Sequence, residues 1–572
     1  MEYRWNIYAE TDEEQQVDEL LSKDLHISLP SARLLVRRGI RSAEEAKTYI
    51  RPSLERLNDP YLMRDMDKAV ERLNKALLTG ERILVYGDFD VDGTTAVALM
   101  YTFLSSLTTQ LDFYVPDRFT EGYGISFRGI DYAQQQGCTL IVALDCGIKE
   151  VDKVEYAKAR QIDFIICDHH TPGDTLPTAV AVLNMKRSDC PYPYKELSGC
   201  GVGFKLVQAL ARYRGLPDER WHGLLSLTAM AIASDVVPVT GENRILAYYG
   251  LKQLNACPSV GLQSLLKVAD INAGKVTMND LMFKIGPRIN ASGRMKSGME
   301  AVKLLITGDR KEAETLASDI NTYNTERRNR ETHITDEALA LLKQDPDNER
   351  KHTTVVFSPD WYKGVIGITA SRLTDFYYRP TIVLTGGEGN IVTGSARSVN
   401  GFDIYSAIDS CRDLLTSFGG HQFAAGLNMR RENLPAFKER FEQYVSEHIL
   451  QEQLVPIIPI EQELRFADID DRFFNILRHL EPFGPGNPRP VFCTHRVINN
   501  RYTKRVGKTG EHLRLDITDR TAAIQGIAFG QGDKALHLQN GLPADVCYEL
   551  EENTYNGVTS VQMVVHDIKL IN

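Results

Sequence analysis

Four clusters of acidic and histidine side chains, each directly after an apolar run, constrain the fold of this chain more than any other feature. They are YGDFDVDGTTA (86–96), ALDCG (143–147), CDHHTP (167–172) and ASDVVP (233–238). Three of the apolar runs (83–87, 140–144 and 164–167) are predicted to form buried strands. The carboxyl ends of parallel strands meet at one edge of an open α/β sheet, so these side chains are expected to converge on one crevice. We therefore predict a metal site there, and the metal predicts a hydrolytic reaction.

The length and composition are typical of a multidomain enzyme. At 572 residues the chain exceeds what one hydrophobic core supports and suggests roughly three to five domains. Hydrophobic residues at 43% and charged residues at 25% exclude disordered, fibrous and collagenous chains. The apolar stretch 224–233 is too short to span a bilayer, and no basic segment followed by an apolar one opens the sequence, so a cytoplasmic protein without membrane association is expected. The nine cysteines include no CxxC pair and are interpreted as reduced thiols.

Five regions can be distinguished along the chain. Short apolar runs alternate with amphipathic stretches between residues 83 and 183, which is the pattern of a parallel sheet built from βαβ units. Residues 309–343 contain neither glycine nor proline and are rich in charge, which predicts a long solvent-exposed helix. The predicted regions are a helical N-terminal accessory segment (1–75), a parallel-sheet catalytic domain (76–265), a helical connection (266–345), a second α/β domain (346–452) and a small antiparallel β-barrel (453–572).

The first cluster contains three alternating carboxylates, Asp88, Asp90 and Asp92, followed by Gly93. On a continuing strand these side chains would share one face and repel each other unless a cation lay among them. The segment is therefore expected to leave the strand as a loop that folds around metal.

The other clusters add further ligand types. Asp145 ends the second strand, Asp168, His169 and His170 end the third, and Asp235 follows a predicted helix. Oxygen ligands with one or two imidazoles favour Mn²⁺ or Mg²⁺ over zinc, whose sites are rich in thiolates. Two such ions bridged by Asp145 would activate a water and neutralise charge at a phosphoryl centre. The alternative is an ordinary set of helix caps and turn residues, since aspartate is common at strand ends.

The segments DFDVDG, LDCG, CDHH and SDVVP resemble, in order and spacing, the four motifs of the DHH phosphoesterase superfamily. Its members hydrolyse phosphodiesters or phosphoanhydrides with two Mn²⁺ or Mg²⁺ ions. By matching motif positions, the resemblance implies metal ligation by Asp90, Asp92, Asp145, His169 and Asp235. Asp88 would be an additional ligand or a partner of the ligands. His170 would contact the scissile phosphate or stabilise the transition state, and Asp145 would act with it in catalysis.

Further segments resemble the bacterial exonucleases of this superfamily that act on single-stranded DNA. They are VPDRFTEGYG (115–124), GPRINASGRM (286–295), YKGVIGI (362–368), GSARS (394–398) and GGHQFAAG (419–426). The resemblance implies a parallel-sheet DHH domain joined by a long helix to a second α/β, DHH-associated domain, followed by an OB-fold-like barrel. It implies hydrolysis of single-stranded DNA from 5′ to 3′ into 5′-mononucleotides, in DNA repair and recombination. A single-strand binding protein and a RecQ-type helicase are the implied partners of a monomeric enzyme.

A second group of residues is predicted to hold phosphate. Ser395 and Arg397 lie two apart, so on a strand they would share one face and clamp a terminal phosphate. Gly419 and Gly420 would let the backbone approach a phosphate closely, and His421 adds a donor. In the bacterial exonucleases that this chain resembles, these positions are associated with the 5′ phosphate. Arg118 (VPDRF) would complete the clamp, with a surface arginine in a solvated pair as the alternative.

Two basic regions are interpreted as contacts to the nucleic-acid backbone. Arg288, Asn290 and Arg294 form a polar run that would line a narrow channel between two lobes, or else belong to a solvated helix connection. Between residues 489 and 514 the chain has seven lysines and arginines against one acid, Glu511, although its net charge is -10.

Within that basic stretch, Arg501, Lys504 and Arg505 are the predicted backbone contacts of the barrel. Phe492, Tyr502 and Phe529 are candidate stacking residues, with the barrel core as the alternative position for each.

Two functions are alternatives to a single-strand exonuclease. One is a phosphodiesterase for very short oligonucleotides or cyclic dinucleotides, which the basic terminal barrel disfavours. The other is a non-catalytic binding scaffold like that of the eukaryotic replicative-helicase relative, which the complete set of expected ligands disfavours.

Overall fold

Apolar runs form strands and amphipathic runs form helices throughout residues 2–555 and 558–571, which the computed structural model describes. In this part of the chain the strands are β1 (Arg4–Ile7), β2 (Arg82–Gly87), β3 (Leu111–Tyr114), β4 (Cys138–Leu144), β5 (Asp163–Cys167), β6 (Ala181–Leu183), β7 (Thr354–Ser358), β8 (Thr381–Gly386), β9 (Ile391–Arg397), β10 (Leu415–His421), β11 (Ala424–Arg430), β12 (Ile457–Ile460), β13 (Gln462–Glu463), β14 (Phe492–Asn499), β15 (Lys504–Val506), β16 (His512–Thr518), β17 (Ala523–Ala528), β18 (Ala544–Tyr555) and β19 (Val558–Leu570).

The α-helices of the described residues are α1 (Asp12–Leu25), α2 (Leu29–Val36), α3 (Ala43–Ile50), α4 (Met66–Thr79), α5 (Val91–Ser105), α6 (Phe127–Gln135), α7 (Val151–Lys158), α8 (Gly199–Tyr213), α9 (Glu219–His222), α10 (Leu225–Ser234), α11 (Gly241–Ala256), α12 (Val260–Val268), α13 (Met278–Asp280), α14 (Gly286–Met295), α15 (Gly298–Ile306), α16 (Arg310–Gln344), α17 (Ile366–Tyr377), α18 (Ile404–Asp409), α19 (Leu434–His448), α20 (Asp471–His479) and α21 (Ala535–Gln539). A π-helical turn (Leu281–Ile285) leads into α14. Strand β1 shows that the predicted accessory segment is not wholly helical, because it pairs in parallel with β12.

These elements form two compact units. One comprises residues 35–325 and 475–489, and the other comprises the chain before residue 35, residues 326–474 and the chain from residue 490. The long helix predicted at 309–343 is confirmed as α16, which begins in the first unit and ends in the second. No described helix combines the length and the apolarity that a membrane crossing requires.

The first unit contains the predicted parallel sheet. Its five strands lie in the order β3-β2-β4-β5-β6, and every pair is parallel. The three strands predicted to precede the clusters are confirmed as β2, β4 and β5. Successive connections run to opposite sides of β2, so the strand order reverses between β2 and β4. A reversal of this kind opens a crevice at the carboxyl ends of the strands.

Side chains from Ile83 onward in β2 and from Leu140 onward in β4 alternate between the two faces of this sheet. Val85 and Val142 belong to the core shared with α4, α5, α8 and α10, whereas Tyr86 and Ala143 belong to the core shared with α6 and α7. Helices therefore cover both faces, and the strands are apolar throughout because both faces are buried.

One local prediction for this sheet is wrong. The segment after β2 does not continue as a loop through Asp92, because α5 begins at Val91 and includes both Asp92 and Gly93. Asp90 is the N-cap residue, and its Oδ1 accepts a hydrogen bond from Gly93 N at 3.0 Å. Aspartate is favoured at the N-cap and in the first turn, where it satisfies free N–H groups and the helix dipole.

The second unit contains a mixed sheet in the order β10-β11-β9-β8-β7. Strands β7 and β8 are parallel and are joined through α17, while the remaining pairs are antiparallel. Phe437 and Phe441 of α19 pack on one side of this sheet together with Ile382 and Leu384. Val356 and Val383 on the other side pack against α17 and the end of α16.

The C-terminal strands of the second unit form a closed barrel. Strands β14, β18, β19, β17 and β16 pair in that order, and additional pairing of β14 with β16 closes the ring. Five strands closed in this way are typical of an OB-fold. The expectation of an entirely antiparallel barrel is wrong in one pair, since β17 and β19 are parallel.

Candidate metal centre and nucleic-acid interface

The parallel sheet delivers the predicted metal-site residues to its carboxyl edge. Asp88 and Asp90 follow β2, Asp145 follows β4, and His169 lies just after β5. Asp235 arrives from a different element, as the residue that ends α10. The crevice at the reversal of strand order is therefore lined by carboxylates from several segments that lie far apart in the sequence.

His169 lies at the centre of a buried group of carboxylates. Its Nε2 is 3.2 Å from Asp145 Oδ1, 3.5 Å from Asp235 Oδ2 and 3.9 Å from Asp92 Oδ2. Asp92, Asp145 and His169 are buried, whereas the Asp235 side chain is 27% exposed. The structure thus brings four predicted ligands within the reach of one or two cations.

Asp92 is fixed by the beginning of α8. Its carboxylate accepts hydrogen bonds from Gly199 N at 2.6 Å and from Cys200 N at 2.7 Å. A Cβ atom at Gly199 would lie 2.4 Å from Asp145 Oδ1, so only glycine allows this close approach. The N-terminus of α8 therefore orients Asp92 and leaves room for Asp145.

Asp168 orients the two histidines that follow it. Its Oδ1 accepts hydrogen bonds from His169 N at 2.7 Å and His170 N at 3.1 Å, and lies 2.7 Å from His170 Nδ1. Its Oδ2 accepts a hydrogen bond from Ile148 N at 2.9 Å. The other ring nitrogen of His170, Nε2, is 3.0 Å from the Tyr123 hydroxyl.

Buried atoms without hydrogen bonds mark the centre of this group. Within the described residues, Asp145 Oδ1 and both ring nitrogens of His169 are buried and lack a hydrogen-bond partner. Buried polar atoms are almost always paired, and coordination of an ion is one of the ordinary explanations for an exception. The oxygen and imidazole donors of this group fit a divalent cation such as Mn²⁺ or Mg²⁺.

The electrostatics of the group also favour a cation. Burial, and then the charge of Asp90, raises the pKa of Asp88 to about 8 and that of Asp92 to about 7. Burial, and then the charge of Asp92, raises the pKa of Asp235 to about 9. Burial lowers the pKa of His169 to about 4, so this imidazole is neutral and available as a ligand. Clustered carboxylates that resist ionisation together are the environment that a bound cation relieves.

These shifts predict how the stability of the metal-free protein depends on pH. Asp88, Asp92 and Asp235 bind their protons more tightly in the folded chain than in the unfolded chain, where their pKa is near the ordinary value of 3.8. Their stabilising contribution is fully present below the unfolded value and is lost as the pH rises through the folded values. We expect the melting temperature to fall from about pH 5 to about pH 9, and saturating Mn²⁺ to remove the decline. Calorimetry that showed a flat or rising profile without metal would contradict this account.

The Tyr123 hydroxyl predicts a smaller effect on turnover. Tyr123→Phe removes one hydrogen bond to His170, which is worth about 1 kcal/mol, so kcat is expected to fall about fivefold. Tyr132→Phe is the matched control, because it removes a comparable bond to Asp112 at 2.9 Å from α6. Equal activities of the two variants would remove Tyr123 from the site.

Strand register places four of the predicted phosphate-binding residues of the second unit on one face of the mixed sheet. Arg397 pairs with Ala424, which pairs with His421, and Ser395 pairs with Gly426, which pairs with Gly419. Residues paired directly across strands point to the same side, and so do residues two apart. Ser395, Arg397, Gly419 and His421 therefore share a face, with only small residues between them.

Arg397 is held in a position suited to an anion. Its Nη1 donates to Ser395 Oγ at 3.1 Å and to the Ala396 carbonyl at 2.7 Å. No carboxylate among the described residues pairs with it, and burial lowers its pKa. Gly367, in the first turn of α17, permits close packing here, since a Cβ atom would lie 3.0 Å from Ser395 Oγ and 3.1 Å from Arg397 Nη2. The positive end of α17 thus lies beside the guanidinium.

Gly419, Gly420 and His421 all lie in β10. Gly420 adopts φ +150°, and a Cβ atom there would meet the Ala424 carbonyl at 2.3 Å. The Nδ1 atom of His421 accepts a hydrogen bond from Phe423 N at 3.3 Å. The exposed Nε2–H is consequently available as a donor.

The remaining predicted contacts of the first unit lie near the metal-site loop. The guanidinium of Arg118 stands 5.0 Å from the ring centroid of Phe89, between Asp88 and Asp90. Helix α14, which carries Arg288, Asn290 and Arg294, approaches the same residue. A Cβ atom at Gly293 would lie 2.9 Å from the Phe89 carbonyl.

Arg288 is already engaged within that region. Its Nε donates to Asn321 Oδ1 at 3.0 Å and its Nη1 to the Lys284 carbonyl at 2.7 Å. The polar run is therefore helical, and its Arg288 is linked to α16. Asn290 and Arg294 are half-buried on the same helix, four residues apart.

The basic strip of the barrel is partly continuous. Arg501 is exposed in a loop, and Lys504 and Arg505 are exposed on β15, where Lys504 pairs with Arg514 of β16. Arg514 lies 5.7 Å from the ring of Tyr502, which is 40% exposed. The other two candidate stacking residues differ in exposure: Phe529 is exposed, whereas Phe492 is fully buried in the barrel core. Arg489, which opens the strip in the sequence, belongs to the other unit.

Three family models match separate parts of the chain. The model of the DHH family, N-terminal domain, matches residues 82–232, the DHHA1 domain model matches residues 350–447, and the RecJ OB domain model matches residues 460–567. These matches follow the parallel sheet, the mixed sheet and the closed barrel in turn.

Relatives match nearly the whole chain. It is 35% identical over 566 residues to the single-stranded-DNA-specific exonuclease RecJ of Bacillus subtilis (strain 168), covering 99% of this chain and 70% of that protein. It is 35% identical over 589 residues to the Escherichia coli (strain K12) protein of the same name, covering 97% of this chain and 98% of that protein. The chain belongs to the RecJ family.

Solved RecJ structures support the same fold. The crystal structure of RecJ in complex with Mn²⁺ from Thermus thermophilus has a TM-score of 0.84 at 28% identity, covering 100% of this chain and 80% of that chain. A complex of RecJ with Mg²⁺ from the same organism has a TM-score of 0.78. The predicted superfamily and fold class are thereby confirmed, and acidic and histidine side chains of this chain could hold such ions.

Sequence reasoning missed three residues that the RecJ-family structure places at these sites. Gly199 permits the approach of Asp145, Tyr123 contacts His170, and Gly367 packs against Ser395. Tyr123 and Gly367 lie in the EGYG and YKGVIGI segments. Both segments stand out in the sequence, but the sequence predicts no function for these two residues. Gly199, in SGCG ahead of an apolar helix, offered only the signature of a helix start.

Proposed function

We propose that this chain is a metal-dependent exonuclease that hydrolyses single-stranded DNA from the 5′ end and releases 5′-mononucleotides, in DNA repair and recombination. The observation that carries the proposal is the buried carboxylate and histidine group, in which Asp145 and His169 have atoms without hydrogen-bond partners. The relatives at 35% identity are named single-stranded-DNA-specific exonucleases, which supports the substrate class.

Two Mn²⁺ or Mg²⁺ ions would be held by a set of six side chains that includes Asp145. The set is Asp88, Asp90, Asp92, Asp145, His169 and Asp235. When bound, such ions supply an activated water and neutralise the charge that develops on the phosphoryl oxygens.

His170 is assigned to the scissile phosphate. Burial opposes protonation of His170, but its hydrogen bond with Asp168 raises its pKa above the ordinary value, so the ring binds a proton more readily than a free imidazole does. Its Nε2–H, which faces the Tyr123 hydroxyl at 3.0 Å, can be shared with a non-bridging oxygen that approaches beside this hydroxyl, and can so stabilise the transition state. Asp168 and Tyr123 hold the ring in this orientation.

The substrate-binding assignment follows the anion-binding features of each unit. We assign the 5′ phosphate to Ser395, Arg397, Gly419, Gly420 and His421 of the second unit, and Arg118 of the first unit to a substrate phosphate. Arg288, Asn290 and Arg294 are assigned to the sugar-phosphate backbone, as are Arg501, Lys504 and Arg505 of the barrel. Contacts of this kind carry affinity without sequence preference.

The wider assignment includes domain bounds and partners. We assign the DHH domain to residues 76–265, the DHH-associated domain to residues 346–452 and the barrel region to residues 453–572, after an accessory segment (1–75) and a helical connection (266–345). The enzyme is proposed to act as a monomer in the cytoplasm, together with a single-strand binding protein and a RecQ-type helicase.

Parallel digestion of 5′-labelled and 3′-labelled single strands in Mn²⁺, with and without a 5′ phosphate, tests the proposal. We expect the 5′ label to appear at once as a mononucleotide, while the 3′ label remains on progressively shorter strands. A duplex of the same sequence serves as the control and should resist digestion.

Three results would contradict the proposal. Early release of the 3′ label would reverse the polarity. Strong preference for a dinucleotide over a long strand would indicate a short-oligonucleotide phosphodiesterase. Binding of single strands without any metal-dependent cleavage would indicate a binding scaffold.

A further inference from the structure

A second group of metal-ligand residues lies on the C-terminal barrel, within the second unit. Glu463 of β13 pairs with Cys493 of β14, which pairs with Cys547 of β18. Residues paired across strands point to one side of the sheet, as do residues two apart on a strand. His495 and Asp545 therefore lie on the same face as Glu463 and Cys493, and these side chains form what we call the barrel cluster.

A β-bulge sets the position of His495. Thr494 pairs with Val546 and Val497 pairs with Ala544, so His495 and Arg496 together face the single residue Asp545. Arg496 adopts φ 52°, and its N–H donates to Asp545 Oδ1 at 2.8 Å. Bulges redirect side chains in this way and are common beside functional sites.

Asp545 determines which ring nitrogen of His495 faces the cluster. Asp545 Oδ2 lies 3.1 Å from His495 Nδ1, which leaves Nε2 directed at Glu463 and Cys493. A carboxylate on one ring nitrogen and a cation on the other is the usual arrangement of metal-binding histidines, because the carboxylate fixes the tautomer and the ring orientation.

The distances suit a tetrahedral ion. His495 Nε2 is 3.2 Å from Glu463 Oε1 and 3.8 Å from Cys493 Sγ, and one donor atom from each of the three residues lies within 4.8 Å of the others. Zinc bond lengths of about 2.1 Å to nitrogen or oxygen and about 2.3 Å to sulfur, with tetrahedral angles, place such pairs about 3.4 Å and about 3.6 Å apart.

We propose that Glu463, Cys493 and His495 bind a divalent cation of the zinc class, with Asp545 orienting His495. The Cys493 side chain is fully buried, whereas Glu463 and His495 are 59% and 41% exposed, so a water completes the coordination on the solvent side. Thiolate and imidazole donors together select zinc-like ions over Mg²⁺ and Mn²⁺. The ion would tie the two-residue strand β13 to the barrel, which is a structural role separate from the proposed catalytic centre.

Titration of the metal-free full-length chain with Co²⁺, under reducing conditions and with excess Mg²⁺ to occupy carboxylate sites, tests this proposal. Cobalt bound to a thiolate gives a sulfur-to-metal charge-transfer absorption in the near ultraviolet, which an oxygen and nitrogen site does not give. We expect the intensity of this band to level off at the value of one thiolate-bound cobalt per chain. Cys493→Ser should abolish it, and Asp545→Asn should weaken the apparent affinity by about 10- to 100-fold.

Cys547→Ser is the matched control, since Cys547 is the buried cysteine directly opposite Cys493 and is not among the proposed ligands. The charge-transfer band should remain in Cys547→Ser. Exonuclease activity and the melting temperature check that each variant folds, and His495→Gln at an exposed position provides a second ligand variant if Cys493→Ser does not fold.

The proposal is overturned by a wild-type chain without the band, by a band that survives in Cys493→Ser or, if that variant does not fold, in His495→Gln, or by equal loss in Cys547→Ser. Absence of the band would leave His495 as a residue that only contacts Asp545 and Glu463. A wild-type chain that shows the band but has no nuclease activity would instead count against the proposed function alone.

Discussion

Asp235→Asn is expected to reduce the rate of nucleotide release by at least about 1,000-fold, because a lost ligand removes several kcal/mol of transition-state charge stabilisation. Asp235 suits this test because it ends α10, is 27% exposed and accepts no hydrogen bond from any described residue through its side chain. Asparagine keeps the shape of the side chain, so the fold should persist. Single-turnover release of labelled nucleotide in saturating Mn²⁺ measures the effect.

A control variant and a DNA-binding measurement test whether the effect of Asp235→Asn is specific to catalysis. Asp152→Asn, which removes an exposed carboxylate from the first turn of α7, should leave the rate unchanged. Affinity for single-stranded DNA should also remain, since phosphate contacts are assigned to other residues. A rate for Asp235→Asn within tenfold of the original would reject the assignment of Asp235 as a ligand.

Arg397→Ala is expected to lower kcat/KM on 5′-phosphorylated strands by about 30- to 150-fold, corresponding to about 2–3 kcal/mol for a charge-assisted contact. The guanidinium lies beside Ser395 and the first turn of α17 without a carboxylate partner among the described residues. Strands with a 5′ hydroxyl should be affected much less, because they lack the charge that Arg397 is proposed to bind.

The comparison of the two strand ends is therefore the decisive readout for Arg397. Arg430→Ala, at a side chain of β11 that is 67% exposed and near Glu432, is the matched control and should preserve the preference for a 5′ phosphate. Equal losses on phosphorylated and unphosphorylated strands would mean that Arg397 supports the fold rather than the terminal phosphate.

The parallel sheet was predictable from sequence because its strands are buried on both faces. Continuous apolar runs such as the one ending at Gly87 are typical of such strands, and the polar residue after each run indicates the edge where the runs end. Long helix α16 was equally accessible, since a charged segment without glycine or proline has few alternatives.

The details of the site depend on tertiary contacts that periodicity does not encode. Asp92 appeared as one of three loop carboxylates, but the N-cap at Asp90 starts α5 there, and N–H groups of α8 bind its carboxylate. The shared face of Arg397 and His421 depends on the pairing of both with Ala424, and this register is invisible before the sheet is assembled.

The backbone of Asp145 has a consequence for how this protein can change over evolutionary time. Its φ of 60° lies in the left-handed region, which glycine, asparagine and aspartate adopt far more readily than other residues. Replacement by asparagine or glycine would therefore remove the charge without straining the backbone at the strand end. Alanine or valine would remove the charge and also strain the backbone. A lineage that abandons hydrolysis has a narrow, fold-preserving route through this position, and descendants that kept the scaffold for binding alone should carry asparagine or glycine here.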